Sequence, residues 1–218
     1  MTQTMTREIA PRFHSQKIAK VTFEQFLELA GGDRHIELVG GYIVEMPSVT
    51  EPHSKLGSFL IKISDEFVIQ KDSCSIFYDP FIMYTAMKKP GEIKQYGRAP
   101  DLMFVAKKNL HRVQSNHIVG PADLVIEIIS PGSQRIDREE KFAEYQTGGV
   151  PEYWHFDPKT KEAKFFLRDA NGKYQPVEPD ADGIIRSTTI EGFFIKTEWL
   201  WRNPKPSVIE VLKAWGLL

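Results

Sequence analysis

The sequence predicts a mixed α/β protein: a β-sheet core flanked by helices, with a β-hairpin near the N-terminus. Three observations carry this. "ADLVIEIIS" (122–130) is a short, nearly continuous apolar run, the pattern of a strand covered on both faces. "IDREEKFAEYQTGG" (136–149) follows it with the periodicity and glycine stop of a helix. "PHSKLGSFLIKISDEFVIQK" (52–71) sets Leu56, Phe59, Leu60, Ile63 and Phe67 at helical spacing, so one stripe packs inward.

The remaining elements follow in order. Residues 1–20 read as a flexible tail, and 21–218 as one domain of ordinary size. "TFEQFLELAGGD" opens with Thr22 as N-cap and Gln25 three residues on, a capping box, and stops at Gly31 and Gly32. "HIELVGGYIVEMP" puts two β-prone runs around Gly40-Gly41, the composition of a hairpin turn. "SIFYDPFIMYT" and "PDLMFVA" read as strands. In the 136–149 helix Asp137 reads as the N-cap, with Glu140 three residues later. "EYWHFDP", "AKFFLRD" and "GKYQPVE" resume strand character between turn-rich segments, and "PSVIEVLKAWG" closes the chain with a helix whose first turn suits Pro206.

Composition narrows the classes. Hydrophobic residues at 41% and charged residues at 26% are those of a globular protein, and no apolar run has the length of a membrane span. The polar start lacks the apolar segment of a secretory signal, which points to the cytoplasm. A single cysteine, Cys74, excludes an internal disulfide framework and a multi-thiolate zinc site, and His14, His35, His111, His117 and His155 show no metal-ligand spacing. A net charge of -1 excludes a global positive field, so any phosphate-binding surface is local. Lys88, Lys89, Lys94, Arg98, Lys107 and Lys108 are the candidates, against the ordinary reading of solvated surface.

Glu127 is the anomaly. Side chains alternate along a strand, so Asp123, Val125, Glu127 and Ile129 share one face and Leu124, Ile126 and Ile128 the other. A carboxylate there needs a cation or donors. Asp137, Lys141 and Tyr145 stand four apart on one helix face, and a helix folding back on the strand brings Lys141 toward Glu127. Asp101, directly after Pro100, places a second carboxylate at a strand start. Two carboxylates and a lysine suit phosphodiester hydrolysis with a hard divalent cation, which takes oxygen ligands and is completed by water and substrate phosphate. The structural alternatives are an ion pair for Glu127, a turn residue for Asp101 and sheet packing with a bonded hydroxyl for Tyr145.

"APDLMFV" and "PADLVIEIISPGSQRIDREEKFAEYQTGGVPEYWHFDP" resemble the signature of the Uma family of endonucleases, within the restriction-endonuclease-like superfamily. The resemblance runs from about residue 22 to residue 198 and is strongest from Gly97 to Pro158. It implies a restriction-endonuclease-like α/β core and a Mg²⁺- or Mn²⁺-dependent site acting on DNA. Asp101 and Glu127 match its metal-binding aspartate and glutamate. The superfamily's lysine usually stands two residues after that glutamate, where this chain has Ile129; Lys141 matches the position to which the Uma family has moved it. Glu37 matches an acidic hairpin residue, an extra metal or water partner, and His53 a histidine of open role. Gly40 and Tyr42 replace residues that are often acidic in the family, leaving Glu37 alone.

Competing readings stand beside this one. The nuclease fold can persist as a module that binds nucleic acid or protein without turnover. Ser130 in "IISPG" follows a strand but lacks the Gly-x-Ser-x-Gly elbow of a serine hydrolase. "EYWHFDP" and "VIEVLKAWGLL" could instead supply oligomer interfaces. A homodimer is compatible with the nuclease reading, because two sites cut two strands.

Overall fold

The structure, a computed structural model, describes residues 17–30, 35–89 and 91–218. Its elements run β1 (Lys17–Lys20), α1 (Phe23–Ala30), β2 (Ile36–Val39), β3 (Tyr42–Glu45) and α2 (Glu51–Lys71). Next come β4 (Cys74–Phe77), β5 (Ile82–Lys89), β6 (Glu92–Arg98), β7 (Leu102–Ala106), a 3-10 turn, β8 (His117–Val119) and β9 (Leu124–Ile128). A π-helical stretch, Ile136–Lys141, runs into α3 (Phe142–Gly148). The chain closes with β10 (Glu152–Asp157), β11 (Glu162–Arg168), β12 (Tyr174–Val177), β13 (Ile184–Arg186), β14 (Phe194–Lys196), α4 (Thr197–Trp201) and α5 (Val208–Ala214).

Two mixed six-stranded sheets organise the fold, in the orders β1-β3-β2-β6-β5-β8 and β12-β11-β10-β9-β7-β4, with β13 and β14 forming a separate pair. The expected strand 122–130 is β9, at the centre of the second sheet, parallel to β10 and antiparallel to β7. Its alternation divides the core as the period of two requires. Leu124, Ile126 and Ile128 join Leu56, Phe59, Leu60, Ile63 and Phe67 of α2 on one face. Val125 joins Met103, Tyr145 and Tyr153 on the other, under the π-helical stretch and α3. With both faces covered, an all-apolar strand is stable and an ionisable group on it is costly.

The capping box is formed, Thr22 N–H donating to Gln25 Oε1 and Gln25 N–H to Thr22 Oγ. The Gly31-Gly32 stop lies outside the described residues. The hairpin is present, with Gly40 and Gly41 at φ 60 and 87, which side-chain-bearing residues rarely adopt. A closer approach occurs at Gly97, where an added Cβ would lie 2.8 Å from the Phe26 ring; α1 packs on the first sheet through that gap.

Several expectations need correction. Residues 1–16 of the expected tail lie outside the described residues, but Lys17–Lys20 forms the edge strand β1, antiparallel to β3. All four of its residues are exposed, so backbone pairing holds it and no apolar pattern marks it. The single run 75–85 divides at Tyr78–Pro80 into β4 and β5, which belong to different sheets. β6 and β8 have no counterpart among the expected strands, because "EIKQYGR" is too polar for the apolar pattern and "HIV" too short. The helix after β9 begins at Gln134, so Asp137 lies inside it and does not cap it. "VIEVLKAWG" turns Val211, Leu212 and Trp215 into the chain's own core against α2, leaving those residues no part in an oligomer interface.

Candidate active site

The chain crosses from one large sheet to the other between Arg98 and Leu102, and the candidate site lies at that crossing. Leu102 pairs with Ile126 in the β7–β9 register; extended by one residue, that register sets Asp101 against Glu127. Likewise Leu38 pairs with Gly97, which sets Glu37 against Arg98. Two strand pairings therefore bring three carboxylates and a guanidinium to one place.

Glu127 is 2% exposed. Its Oε1 accepts from Lys141 Nζ at 2.9 Å and from the Tyr145 hydroxyl at 2.6 Å. These are the cation and the donor that a buried strand carboxylate requires. Lys141 Nζ also lies 3.6 Å from Glu37 Oε1 and 3.6 Å from Asp137 Oδ1. The π-helical stretch turns both Asp137 and Lys141 inward, a distortion that often accompanies functional sites.

Asp101 is held from two sides. The Ile128 N–H donates to its Oδ2 at 2.7 Å, and its Oδ1 lies 3.0 Å from His53 Nε2, presented by the first turn of α2. Glu37 belongs to a second, buried arrangement. Arg98 donates through Nη1 to Glu37 Oε2 at 2.7 Å and grips Glu144 with Nε and Nη2 at 2.7 and 2.8 Å. The Ala99 N–H donates to Glu37 Oε1 at 3.1 Å. Glu37 thus has both oxygens engaged by protein, and its geometry is that of a link between Arg98 and Lys141.

The electrostatics follow from one ammonium among several carboxylates. Burial alone would lower Lys141, but Glu127, Glu37 and Asp137 outweigh it and hold the side chain protonated well above the lysine range. Burial pushes Glu127 well above the carboxylate range, and Asp101, Asp137 and Glu37 add to this against the pull of Lys141. Asp137 is raised for the same reasons. Burial also acts on Glu37, yet Lys141 and Arg98 overcome it and keep its carboxyl low. His53 loses charge stability by burial and regains more from Asp101, so its pKa rises.

A cavity of about 40 Å³ lies over these groups. Its lining includes the carboxylates of Glu37, Asp79, Asp101, Glu127 and Asp137, with Lys141 as its one ammonium and His35 and His53 at its rim. That volume admits a small ion or a few waters. Among the described residues no three His, Cys, Asp or Glu side chains form a ready-made metal cluster. Mg²⁺ and its relatives do not need one, since they use one or two carboxylates and complete their shell with water and substrate oxygens. Oxygen donors in excess of cations fit a hard divalent ion; Asp101 and Glu127 would hold it.

All the residues named from sequence, Glu37, His53, Asp101, Glu127, Lys141 and Tyr145, converge here. Arg98 is 2% exposed and locked in ion pairs, which removes it from the phosphate-binding candidates. Asp137 and Glu144 join the site. The spacing of Asp137 four residues before Lys141 is the one sequence signal for it; Glu144 has none, because its partner arrives from another sheet. Ser130 Oγ bonds Ser133 Oγ and has no histidine partner among the described residues, contrary to a serine hydrolase.

No helix among the described residues is long and apolar enough to cross a membrane. Among curated proteins none matches the chain. Of the solved structures, one described as "a putative nuclease belonging to DUF820" from Anabaena variabilis superposes with a TM-score of 0.66, covering 91% of this chain and 99% of that one at 16% identity. At that identity the likeness is one of fold, and the two chains share the mixed α/β architecture. A family model described as "Putative restriction endonuclease" matches residues 23–198, so the chain belongs to that family, Uma2.

Proposed function

We propose that this protein is a divalent-metal-dependent endonuclease that hydrolyses phosphodiester bonds of DNA. The observation that carries the reading is the buried Glu127–Lys141 pair at 2.9 Å, set beside Asp101 by strand register. A carboxylate and an ammonium are costly to bury, and a purely structural role would be served as well by apolar residues of similar volume.

Asp101 and Glu127 would ligate the cation, His53 and the Ile128 N–H holding Asp101 in place and Tyr145 holding Glu127. The chemistry such a cation supplies when bound is a lower pKa for water and neutralisation of charge on the phosphoryl oxygens. Lys141, kept protonated by its carboxylate neighbours, faces the same cavity and would stabilise the developing negative charge or orient the attacking water. Glu37 and Arg98 act through Lys141, fixing where its ammonium stands.

A second reading, a nuclease-fold module that binds without cutting, is favoured by the depth at which Lys141 is paired. Nicking of supercoiled plasmid separates the two. Wild type with Mg²⁺ or Mn²⁺, run beside Glu127→Ala, Lys141→Ala and an EDTA control, should cut only with metal and with both residues intact. Intact plasmid throughout, with Mn²⁺ still bound by wild type, would favour the binding module.

A further inference from the structure

A groove of about 780 Å³ lies beside the candidate site, framed by the first three turns of α2, the β10–β11 turn and the α4–α5 connection. Five basic residues, Lys55, Lys62, Lys161, Arg202 and Lys205, line it against one acidic residue, Glu51. Lys55 is paired with Glu51, and Arg202 with Glu210. Lys62, Lys161 and Lys205 have no carboxylate partner among the described residues; Lys205 donates to the Leu200 carbonyl and lies over the Phe59 ring, 5.9 Å from its centroid. On a chain whose net charge is -1, three uncompensated ammonium groups in one groove are a local concentration of positive charge.

The groove also carries an aromatic surface. Trp154, Trp199 and Trp215 pack against other rings in the core. Trp201 packs on the same core with part of its side chain, but it has no ring partner among the described residues and leaves the rest of its surface in the groove wall. Cations without a carboxylate partner beside a part-exposed indole are what a polynucleotide strand requires, the first for phosphates and the second for a base to stack on. Bases of an intact duplex are already stacked on one another, so a single or locally opened strand suits it better. Position agrees with this. The first turn of α2 sends His53 into the candidate site and Pro52, Ser54 and Lys55 to the groove, so the two are separated by one helix width, about 10 Å.

We propose that this groove binds one strand of a nucleic acid and leads it to the cavity at Asp101 and Glu127. The choice of ligand rests on the nuclease reading above, while binding itself is measured without turnover. Anisotropy of a fluorescein-labelled oligothymidylate, titrated in EDTA over a series of salt concentrations, compares wild type with Lys62→Ala/Lys161→Ala, Trp201→Ala and a control, Lys20→Ala/Lys173→Ala, whose exposed lysines lie elsewhere. The groove lysine variant should bind about tenfold more weakly and lose roughly 1.4 from the salt slope, about 0.7 for each phosphate contact. Trp201→Ala should weaken binding about tenfold with the slope unchanged. The control should match wild type.

Groove variants that bind like wild type, a control that weakens as much as they do, or a wild type that binds no oligonucleotide would overturn the proposal. Plasmid nicking with Mn²⁺ is scored separately. Nicking without any groove effect leaves the nuclease reading standing and removes the groove; groove-dependent binding without nicking does the reverse.

Discussion

Tyr145 donates its hydroxyl to Glu127 at 2.6 Å, onto the same oxygen that receives the Lys141 ammonium. The tyrosine is itself held protonated, because burial and the Glu127 charge push its pKa well above the phenol range. Glu127 is therefore fixed in direction by two donors on Oε1, while Oε2 accepts no hydrogen bond among the described residues. Removing the hydroxyl should cost orientation and ionisation together. Tyr145→Phe should stay folded, lose roughly tenfold in nicking rate, as a hydrogen bond to a charged group worth about 1.5 kcal/mol implies, and shift the acid limb of the pH–rate profile upward. An unchanged profile would separate Tyr145 from the titration of Glu127.

The Glu127–Lys141 pair predicts non-additive stabilities. Lys141→Met alone leaves Glu127 and Asp137 buried without their cation and should destabilise by about 3–5 kcal/mol. Glu127→Gln/Lys141→Met removes both charges of the pair but still leaves Asp137 without its cation, so it should recover part of that loss in urea denaturation, although activity stays absent. Additive losses would argue that the two charges are not coupled.

Arg98 should be worth far more than a surface pair. Arg98→Met strands Glu37 and Glu144 and is expected to cost about 3–5 kcal/mol. Lys107, paired with Asp72 at 2.6 Å but 62% exposed, should change stability by less than about 1 kcal/mol on replacement by Ala. Thermal melts of the two variants make the comparison directly.

His155 provides an acid sensitivity. Both its ring nitrogens are buried without a partner, next to the rings of Tyr153 and Phe166. Burial, with Arg138 and Lys164 nearby, lowers its pKa to about 4. The unfolded chain binds the extra proton first, so stability is full at neutral pH and falls as pH drops through the range from about 6.5 to about 4. Between pH 7 and pH 5 this group should account for about 2 kcal/mol. Denaturation of wild type and His155→Phe at the two pH values should show that difference; equal losses would remove His155 as the cause.

Metal should stabilise the folded chain through the carboxylates. At a hundredfold excess over its Kd, a bound ion adds about 2.7 kcal/mol, so Mn²⁺ should raise the Tm of wild type by several degrees, and EDTA should reverse it. Asp101→Asn should show little of the rise. The same rise in both proteins would place the ion elsewhere.

Much of the site was legible because it is local. Strand alternation places Glu127 on the Val125 face, and the four-residue spacing of Asp137, Lys141 and Tyr145 gives them one helix face. Once that helix folds back on its strand, few other partners are within reach. The capping box, the Gly40-Gly41 hairpin and the apolar stripe of α2 are local in the same sense. The sequence by itself thus determined the fold class and the approach of Lys141 to Glu127.

Tertiary structure decided what depends on neighbours distant in sequence. Arg98 meets Glu37 because β2 pairs with β6, and Glu144 because α3 lies over the crossing between sheets. His155 lies beside Glu127 because β9 and β10 run parallel, an adjacency that no spacing along the chain encodes. The groove of Lys62, Lys161 and Trp201 draws on three segments far apart in sequence. Periodicity shows which face a residue takes; only the packed sheets decide what stands opposite, because burial makes each charge depend on the partner brought to it.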